Sequence, residues 1–279
     1  MYSIWEFAPL PVSRLVALRK RGGMDLANGA HDRPACLITG GARRIGAAFA
    51  CRLALRFDIA LHSHNSTDEA RALADELRAT GARVECLHAN FAEPESAGAL
   101  VQAAADAFGR LDLVLNSASA FEYDDPSDFS AGTMQRLLAV NLVAPLGIAR
   151  EFARVGSRDA TLINMLDSKV VAPNPDFFSY SLGKFALQSA GDMLAMRFAG
   201  TMRVNAIAPS NTLISGDQSR DNFEKAWSHT LTGAGPTLDE LCDAVEFIWD
   251  TKSLNGQVLV LDGGQRLMSL PRDVSFLVE

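Results

Sequence analysis

The chain of 279 residues lacks the sequence signatures of several protein classes. Its four cysteines lie far apart and form no CxxC pair, and its five histidines form no HExxH or similar ligand pattern. We therefore interpret the cysteines as small buried hydrophobic residues in a reducing cytoplasm, and not as metal ligands or disulfide partners. They are Cys36, Cys51, Cys86 and Cys242. We predict no metal site and a cytoplasmic location.

Long apolar runs and an excess of positive charge are also missing. No run of eighteen or more apolar residues occurs, so we expect no helix that spans a membrane. The formal net charge of -7 argues against a general affinity for nucleic acid or for anionic membranes. The composition, with 48% hydrophobic and 21% charged residues, is ordinary for a globular protein with a sizeable core.

Residues 1–33 do not fit the pattern of the rest of the chain. An apolar start with Trp5 and Phe7 precedes a basic run, whereas a secretory signal has its basic residues first. Three interpretations of this N-terminal extension stay open. It is an oligomer contact, a disordered arm, or the result of a start at Met1 where Met24 is the true one.

From Pro34 onward, short apolar segments alternate with segments of helical spacing. Strands are predicted at 35–39, 59–62, 83–88, 111–116, 160–165, 202–207 and 257–261, and helices at 45–56, 69–80, 94–108, 133–154, 180–198 and 238–250. This alternation predicts an α/β fold, namely a single doubly wound, Rossmann-type domain over 34–279 with a seven-stranded parallel sheet. The irregular segment 210–236 is the predicted substrate loop. Ligands of such sheets bind beyond the carboxyl ends of the strands.

A glycine-containing turn follows the first predicted strand, and a helix begins after it. Backbone amides and the dipole at a helix start favour a pyrophosphate, and glycine lets the backbone approach it closely. The position of the turn in a βαβ unit supports its interpretation as a dinucleotide cradle. The predicted contacts are Gly40, Arg43, Arg44, Ile45 and Gly46.

The end of the second strand bears on the choice of cofactor. An acidic residue there would bind the ribose 2′-hydroxyl of NAD(H) and repel a 2′-phosphate. This chain has His64, Asn65 and Ser66 there, with no carboxylate before Asp68. Imidazole, hydroxyl and nearby guanidinium groups suit a phosphate, so we predict NADP(H). The alternative is that these are ordinary solvated loop residues.

Two further segments are assigned to the site. After the third strand, Asn90 is either an adenine ligand or a turn residue, and Phe91 beside it is a predicted cofactor contact. Tyr180 and Lys184 lie one helical turn apart, so their side chains share a face. A fixed cation is expected to lower the tyrosine pKa from about 10 toward the working range. The pair alone is weak evidence, but with the cradle it indicates a nicotinamide-dependent reductase.

These segments together resemble the short-chain dehydrogenase/reductase family over residues 34–267. The matching segments are 39–46, Asn116-Ser117-Ala118, Asn141, Tyr180 with Lys184, Arg203-Val204-Asn205 with Pro209, and Asp262-Gly263-Gly264. The resemblance implies catalytic roles for Tyr180, for Lys184 and for Asn141, which would hold a water. It implies cofactor contacts by Asn116, Ser117, Ala118, Tyr180, Lys184 and Pro209. Members usually form tetramers through two long helices, which implies a homotetramer.

The chain departs from the family pattern at two positions. In both it resembles one branch of the family, the pteridine reductases, which include bacterial dihydromonapterin reductases. Arg44 stands at the second turn glycine, and Asp167, thirteen residues before Tyr180, stands where the catalytic serine is usual. The resemblance implies an NADPH-dependent reduction of a pterin, a small-molecule substrate, with protons supplied by Tyr180 and Asp167. The implied substrate contacts are Arg44, Ser119, Phe121, Asp167 and Tyr180, with the ring of Phe121 stacked on the pterin.

Several alternatives are compatible with the sequence. A register shift of one residue would place Ser168 at the catalytic position, and Phe121 could equally be a loop aromatic folded onto the core. Asn65 stands where relatives often have arginine, which weakens the inference of NADP(H). The competing functions are an NADPH-dependent reductase of ketones or 3-oxoacyl thioesters and a non-catalytic NADP(H)-sensing protein. The two departures argue against the first, and the intact catalytic set argues against the second.

Overall fold

Seven parallel strands form one sheet in the computed structural model, which describes residues 33–93 and 95–278. The strand order is β3-β2-β1-β4-β5-β6-β7, which confirms the predicted seven-stranded parallel sheet. The strands are β1 (Ala35–Ile38), β2 (Asp58–Ser63), β3 (Val84–His88), β4 (Leu113–Asn116), β5 (Ala160–Met165), β6 (Met202–Pro209) and β7 (Val258–Leu261). The predicted N-terminal extension lies outside the described residues except for Arg33.

Helices connect the strands and cover both faces of the sheet. They are α1 (Arg44–Leu53), α2 (Thr67–Arg78), α3 (Ser96–Phe108), α4 (Ala131–Leu138), α5 (Ala144–Val155), α6 (Phe178–Arg197), α7 (Arg220–Ser228) and α8 (Leu238–Asp250). Helix α7 lies inside the segment 210–236, for which the sequence predicted only irregular structure. Within the described part of the chain, no helix combines the length and apolar character needed to cross a bilayer.

The core consists of two main layers, one on each face of the sheet, because successive strand side chains point to opposite faces. In β1, Ile38 packs with the layer of α1, α2 and α8, while its neighbour Leu37 packs with the layer of α3 and α5. The large side chains Phe49 of α1 and Phe152 of α5 are fully buried in these layers. Burial of such a side chain stabilises the fold by about 1.5–3 kcal/mol.

One predicted helix, 133–154, is interrupted in its middle. A π-helical turn, Ala139–Val143, separates α4 from α5, with Asn141 at its centre. Pro145 in the first turn of α5 has no N–H to donate to the carbonyl of Asn141, four residues earlier. The regular hydrogen-bond pattern therefore cannot continue through this point, and π-turns are common at functional sites.

Strand β1 pairs with β2 on one side and with β4 on the other. The chain order reverses at this point of the sheet, so a crevice opens beyond the carboxyl ends of β1 and β4. The glycine turn after β1 and the loop after β4 form its walls.

Candidate active site

A cleft of about 2190 Å³ runs along the carboxyl ends of the strands. Pockets for one small molecule usually measure about 300–1,000 Å³, so this cleft has room for a dinucleotide and a second ligand. Every predicted site residue lines it except Asn116 and Asn141. The structure thus brings together residues from six separate loops and turns.

The glycine turn after β1 fits the close approach of a pyrophosphate to the backbone. Gly40 has a φ of +63°, and a Cβ there would lie 2.9 Å from the Cα of Ala118. A Cβ on Gly46 would lie 2.2 Å from the carbonyl oxygen of Gly40, a distance that no side chain tolerates. Helix α1 begins within this turn, so its free backbone amides face the cleft. The residues present therefore fit a dinucleotide cofactor.

His62 holds this turn in place, a role that the sequence did not reveal. Its Nδ1 accepts a hydrogen bond from the amide of Gly40 at 3.1 Å, so its protonated Nε2 donates to the carbonyl of Ala89 at 3.1 Å. The ring also stacks on Phe91, with 4.6 Å between centroids. Burial lowers the pKa of His62 to about 4, because the imidazolium would lose its hydration. The neutral ring therefore joins the ends of β2 and β3 to the turn.

The predicted 2′-phosphate ligands lie together at the end of β2. His64, Asn65 and Ser66 all line the cleft, as does Arg43 from the turn. Arg43 has an ion pair with Glu69 at 3.8 Å, but 62% and 52% of these side chains are exposed. Such an exposed pair contributes little, so the guanidinium can bind an anion.

Asn90 makes the hydrogen bonds of a turn residue. Its Oδ1 accepts from the amide of Ala92 at 3.1 Å, and its Nδ2 donates to Glu93 Oε1 at 3.2 Å. The residue also lines the cleft, so a contact with adenine stays a prediction. Of the two interpretations that the sequence allowed, the turn role has direct support.

The loop after β4 is attached to the glycine turn through Thr39. The Thr39 hydroxyl oxygen accepts hydrogen bonds from the amides of Ser117 and Ala118, each at 3.0 Å. Asn116 instead points into the sheet, where its Nδ2 donates to Asn164 Oδ1 at 2.8 Å. The side chain of Asn116 therefore bonds to the neighbouring strand β5 and does not line the cleft, so a cofactor contact by this residue stays a prediction.

Asn141 has a structural role in the same loop. Its Oδ1 accepts from the Ser119 hydroxyl at 2.7 Å and from the amide of Ala120 at 3.2 Å, and its Nδ2 donates to the Ala120 carbonyl at 2.7 Å. The side chain is thus engaged with the loop and does not line the cleft. The water that Asn141 was expected to hold stays a prediction.

Tyr180, Asp167 and Lys184 meet at the centre of the cleft. The Tyr180 hydroxyl donates to Asp167 Oδ2 at 3.1 Å, and the Lys184 ammonium donates to the carbonyl of Met165 at 2.8 Å. Asp167 Oδ1 accepts from the amide of Lys169 at 2.9 Å. Asp167 faces Tyr180, whereas Ser168 begins a short 3₁₀ turn, so the contact with Tyr180 belongs to the acid and not to the serine.

The electrostatics of this group differ from the expectation. Burial raises the pKa of Tyr180 well above its usual value, and the charge and hydrogen bond of Asp167 raise it further. Burial also lowers the pKa of Lys184 to about 8, against the attraction of Asp167. In the free protein the tyrosine pKa is therefore raised, and not lowered toward the working range as expected. Tyr180 is a protonated phenol at neutral pH.

Burial raises the pKa of Asp167 as well, although the charge of Lys169 and its amide oppose this effect. A carboxyl group with a raised pKa retains its proton over a wider pH range. Tyr180 and Asp167 are therefore adjacent acidic groups in the cleft, and burial favours the protonated form of each.

The start of α6 orients Tyr180. Phe177, just before the helix, has a φ of +57° and a ψ of +49°, which is the left-handed region that non-glycine residues rarely adopt. Asp124 caps the helix, since its Oδ1 accepts from the amide of Ser179 at 3.0 Å and its carbonyl accepts from the amide of Phe178 at 3.1 Å. The loop after β4 thereby fixes the first turn of α6.

Phe121 lies against Tyr180 at the cleft and is not folded into the core. Its side chain is 45% exposed, and its ring meets that of Tyr180 edge-on, with centroids 4.8 Å apart and planes at 86°. Phe177 stacks on Phe121 with centroids 4.2 Å apart. The exposed ring is placed to contact a flat ligand beside Tyr180.

Arg44 connects the glycine turn to the loop after β6. Its φ of +57° explains why a glycine is usual at this position of the family pattern. The Nη1 of Arg44 donates to the carbonyl of Ile214 at 2.8 Å. The guanidinium therefore lies between the cofactor turn and the predicted substrate loop.

Several residues of the cleft were not predicted. They come from the loop after β5 and from the C-terminal segment and include Lys169, Phe177, Arg272, Asp273 and Phe276. Their pairings join residues about a hundred positions apart, such as Asp176 and Arg272, so no local pattern indicates them.

A family model for short chain dehydrogenases matches residues 34–225. The chain therefore belongs to the short-chain dehydrogenase family, and the predicted family membership is confirmed. An uncharacterised oxidoreductase of Mycobacterium tuberculosis (strain CDC 1551 / Oshkosh) is 31% identical over 84% of this chain and 92% of its own length. The dihydromonapterin reductase of Escherichia coli (strain K12) is 25% identical over 83% of this chain and 96% of its own.

Solved structures show the same similarity. The FolM alternative dihydrofolate reductase 1 of Brucella canis, complexed with NADP, is 36% identical, with a TM-score of 0.81 over 85% of this chain and 95% of its own. A short chain dehydrogenase of Burkholderia cenocepacia J2315, also with NADP, is 26% identical, with a TM-score of 0.79 over 85% of this chain and 99% of its own. These relatives support the resemblance to the pteridine reductase branch. Both solved structures contain NADP, which agrees with the predicted cofactor NADP(H).

Proposed function

We propose that this protein reduces a pterin with NADPH. The observation that carries the proposal is the carboxyl group of Asp167, 3.1 Å from the Tyr180 hydroxyl, beneath the half-exposed ring of Phe121. The similarity to dihydromonapterin reductases and to the FolM enzyme of Brucella supports a pterin-like substrate.

The cofactor contacts follow from the shape of the cleft. Gly40 and Gly46 leave room for the pyrophosphate at the start of α1, and Arg43 with His64, Asn65 and Ser66 would bind the 2′-phosphate of NADP(H). Lys184, whose ammonium lies beside Tyr180, would hydrogen-bond the nicotinamide ribose. NADPH supplies the hydride for the reaction when bound.

Tyr180 and Asp167 supply the proton that must accompany each hydride to a C=N bond. Tyr180 keeps its phenolic proton at neutral pH, and the raised pKa of Asp167 favours the protonated carboxyl group. The oxygens of this carboxyl group can also accept hydrogen bonds from the amino and imino groups of a pterin ring. A plain carbonyl substrate needs only a neutral hydroxyl group to hold its oxygen, so an acid here favours the pterin.

The oxidation of NADPH in the presence of different substrates tests the proposal. Dihydrobiopterin, dihydromonapterin and dihydrofolate are compared with a panel of ketones and 3-oxoacyl thioesters. We expect rapid oxidation with at least one dihydropterin and little with the others. Oxidation only with ketones or thioesters would contradict the pterin assignment, and tight NADPH binding without oxidation of any substrate would indicate a sensor.

The assembly is part of the same proposal. We infer a homotetramer formed through α4, α5 and α6, because large apolar side chains are exposed on or beside them: Val143 (54%), Met193 (67%) and Met196 (79%). We also propose that 34–279 is one reductase unit, since β7 completes the sheet beyond the substrate loop. Light scattering should give four times the monomer mass, and a monomeric mass would contradict the tetramer.

A further inference from the structure

The segment 269–276, which we call the strap, crosses the substrate end of the cleft. Its residues Arg272, Asp273 and Phe276 line the cleft beside the loop that follows β5. Two ion pairs and a row of aromatic rings attach the strap to the site. The attachments end at Asp176, Lys169 and Phe177, all in the segment between β5 and α6.

The first attachment is a bidentate ion pair. The guanidinium of Arg272 donates to both carboxylate oxygens of Asp176, through Nη2 to Oδ1 at 2.6 Å and through Nε to Oδ2 at 2.8 Å. Asp176 is only 1% exposed and also accepts the amide of Asp273 at 2.7 Å. Bidentate charge-assisted hydrogen bonds are among the strongest and most directional in proteins. The strap is therefore held in one position against the residue that precedes Phe177.

The second attachment leads to the proton donors. The buried ammonium of Lys169 lies 2.8 Å from Asp273 Oδ2 and 2.8 Å from Asn174 Oδ1. The amide of the same lysine holds Asp167 Oδ1 at 2.9 Å. One residue thus connects the strap to the carboxyl group that faces Tyr180.

The third attachment is a row of three aromatic rings. Phe276 of the strap stacks on Phe177 with centroids 6.1 Å apart and planes at 18°. Phe177 stacks in turn on Phe121, at 4.2 Å and 23°, and Tyr123 meets both Phe177 and Phe276 edge-on. One face of Phe121 is thus covered by Phe177, whose ring also lies nearly parallel to that of Phe276.

The strap also contacts the predicted substrate loop. Asn222 of α7 donates from Nδ2 to the carbonyl of Ser275 at 2.8 Å. The strap therefore links the loop after β5 with the helix inside 210–236. Both walls of the substrate end depend on its position.

We propose that the strap determines which flat heteroaromatic rings enter the site, with Phe276 as a specificity-determining residue and Arg272 and Asp273 as positioning residues. Phe276 fixes Phe177, Phe177 fixes Phe121, and the free face of Phe121 sets the space for the ring. The identity of the ring as a pterin rests on the proposed function. The contacts that attach the strap to the site are independent of that function.

Steady-state kinetics of strap variants test this role. We expect Phe276→Ala and Arg272→Ala to raise KM for the dihydropterin about tenfold, since a stacked aromatic contact is loosened. The dissociation constant for NADPH should stay within about twofold, because the strap lies at the other end of the cleft. Phe276→Tyr keeps the ring and should behave as wild type. Arg272→Lys keeps the charge but loses the bidentate geometry, so its KM should fall between those of wild type and Arg272→Ala.

Leu277→Ala is the matched control, because Leu277 follows the strap directly, is 41% exposed and does not line the cleft. It should leave KM unchanged. An unchanged KM in Phe276→Ala, or an equal rise in Phe276→Tyr, would overturn the inference. So would a parallel loss of NADPH binding, since that indicates general disruption.

A second measurement separates this inference from the proposed function. If the wild type reduces only ketones, or nothing, the pterin assignment fails and hydrogen exchange decides the role of the strap. In Arg272→Ala, the amides of Lys169 and Asp273 should exchange about tenfold faster than in Leu277→Ala. Equal exchange in the two variants would show that the ion pairs do not position the strap.

Discussion

Tyr180 and Asp167 share one hydrogen bond in a place from which water is largely removed. Burial disfavours the charged form of both groups, so the pKa of each is raised. A protonated phenol next to a carboxyl group suits reduction, in which the protein must donate a proton. The ammonium of Lys184 donates to the Met165 carbonyl, and its proposed role is to hold the cofactor.

Removal of the phenol should stop the reaction without affecting cofactor binding. In Tyr180→Phe we expect kcat to fall by about 10²–10⁴, the usual contribution of a positioned acid. The dissociation constant for NADPH, measured by fluorescence titration, should not change, because the glycine turn and Arg43 stay in place. Retained turnover would show that another residue donates the proton.

The dependence of kcat on pH should show the loss of the proton from Asp167. Its pKa is raised, so the carboxyl group is protonated at low pH and turnover falls as the pH increases through that raised pKa. In Asp167→Asn this decline should disappear. A separate decline near pH 8, from the loss of charge on Lys184, should stay in both proteins. Identical profiles of kcat against pH would exclude Asp167 as a donor.

At the level of elements, the glycine turn, the end of β2 and the loop after β4 form one unit. His62 joins the turn to β3, and Thr39 joins it to the loop after β4. The shape of the proposed cofactor site therefore depends on close backbone contacts, which leave no room for a Cβ at Gly40 or Gly46.

Gly46→Ala tests this packing. Its new Cβ would lie 2.2 Å from the Gly40 carbonyl oxygen, so the turn must move. We expect a loss of about 1–3 kcal/mol in the free energy of unfolding and about tenfold weaker NADPH binding. Gly132→Ala in α4 is the control, since an added Cβ there meets nothing within 4 Å. Equal effects of the two substitutions on NADPH binding would contradict the close fit.

His62 makes the stability of the same unit depend on pH. Its pKa is about 4 in the folded protein, whereas an unfolded histidine has a pKa of about 6.5. The unfolded chain binds the proton first as the pH falls, so this contribution is complete above about pH 6.5 and is lost toward pH 4. The loss amounts to about 3 kcal/mol.

Denaturant unfolding between pH 7 and pH 4 measures this effect. The free energy of unfolding of His62→Gln should decrease less over this range than that of the wild type, because the variant has no imidazole at that position. Equal pH dependence of the two proteins would mean that His62 is not held neutral.

At the level of the whole molecule, the strands and helices that follow from the local hydrophobic pattern of the sequence were predictable. The strand 160–165 and the helix 238–250 have the predicted bounds, and the sheet edge gathers the glycine turn, His64 and Tyr180 as expected. Hydrophobic periodicity is sufficient for these elements, because each buries its own apolar face.

Contacts between distant residues were not predictable. The strap is attached through Asp176, 96 residues before Arg272, and no spacing rule connects them. The raised pKa of Tyr180 depends on burial, which appears only when the whole cleft is assembled. The inward turn of Asn116 toward Asn164 likewise follows from the pairing of β4 with β5.

The substrate specificity of Asp167→Ser shows whether the acid at this position serves a pterin. We measure kcat/KM for dihydromonapterin and for a ketone in the wild type and in this variant. We expect the wild type to prefer the pterin and the variant to lose about 100-fold on the pterin, the lower end of what a positioned acid contributes. Activity with the ketone should not fall. Unchanged pterin reduction in Asp167→Ser, or an equal loss on both substrates, would show that Asp167 does not serve a pterin.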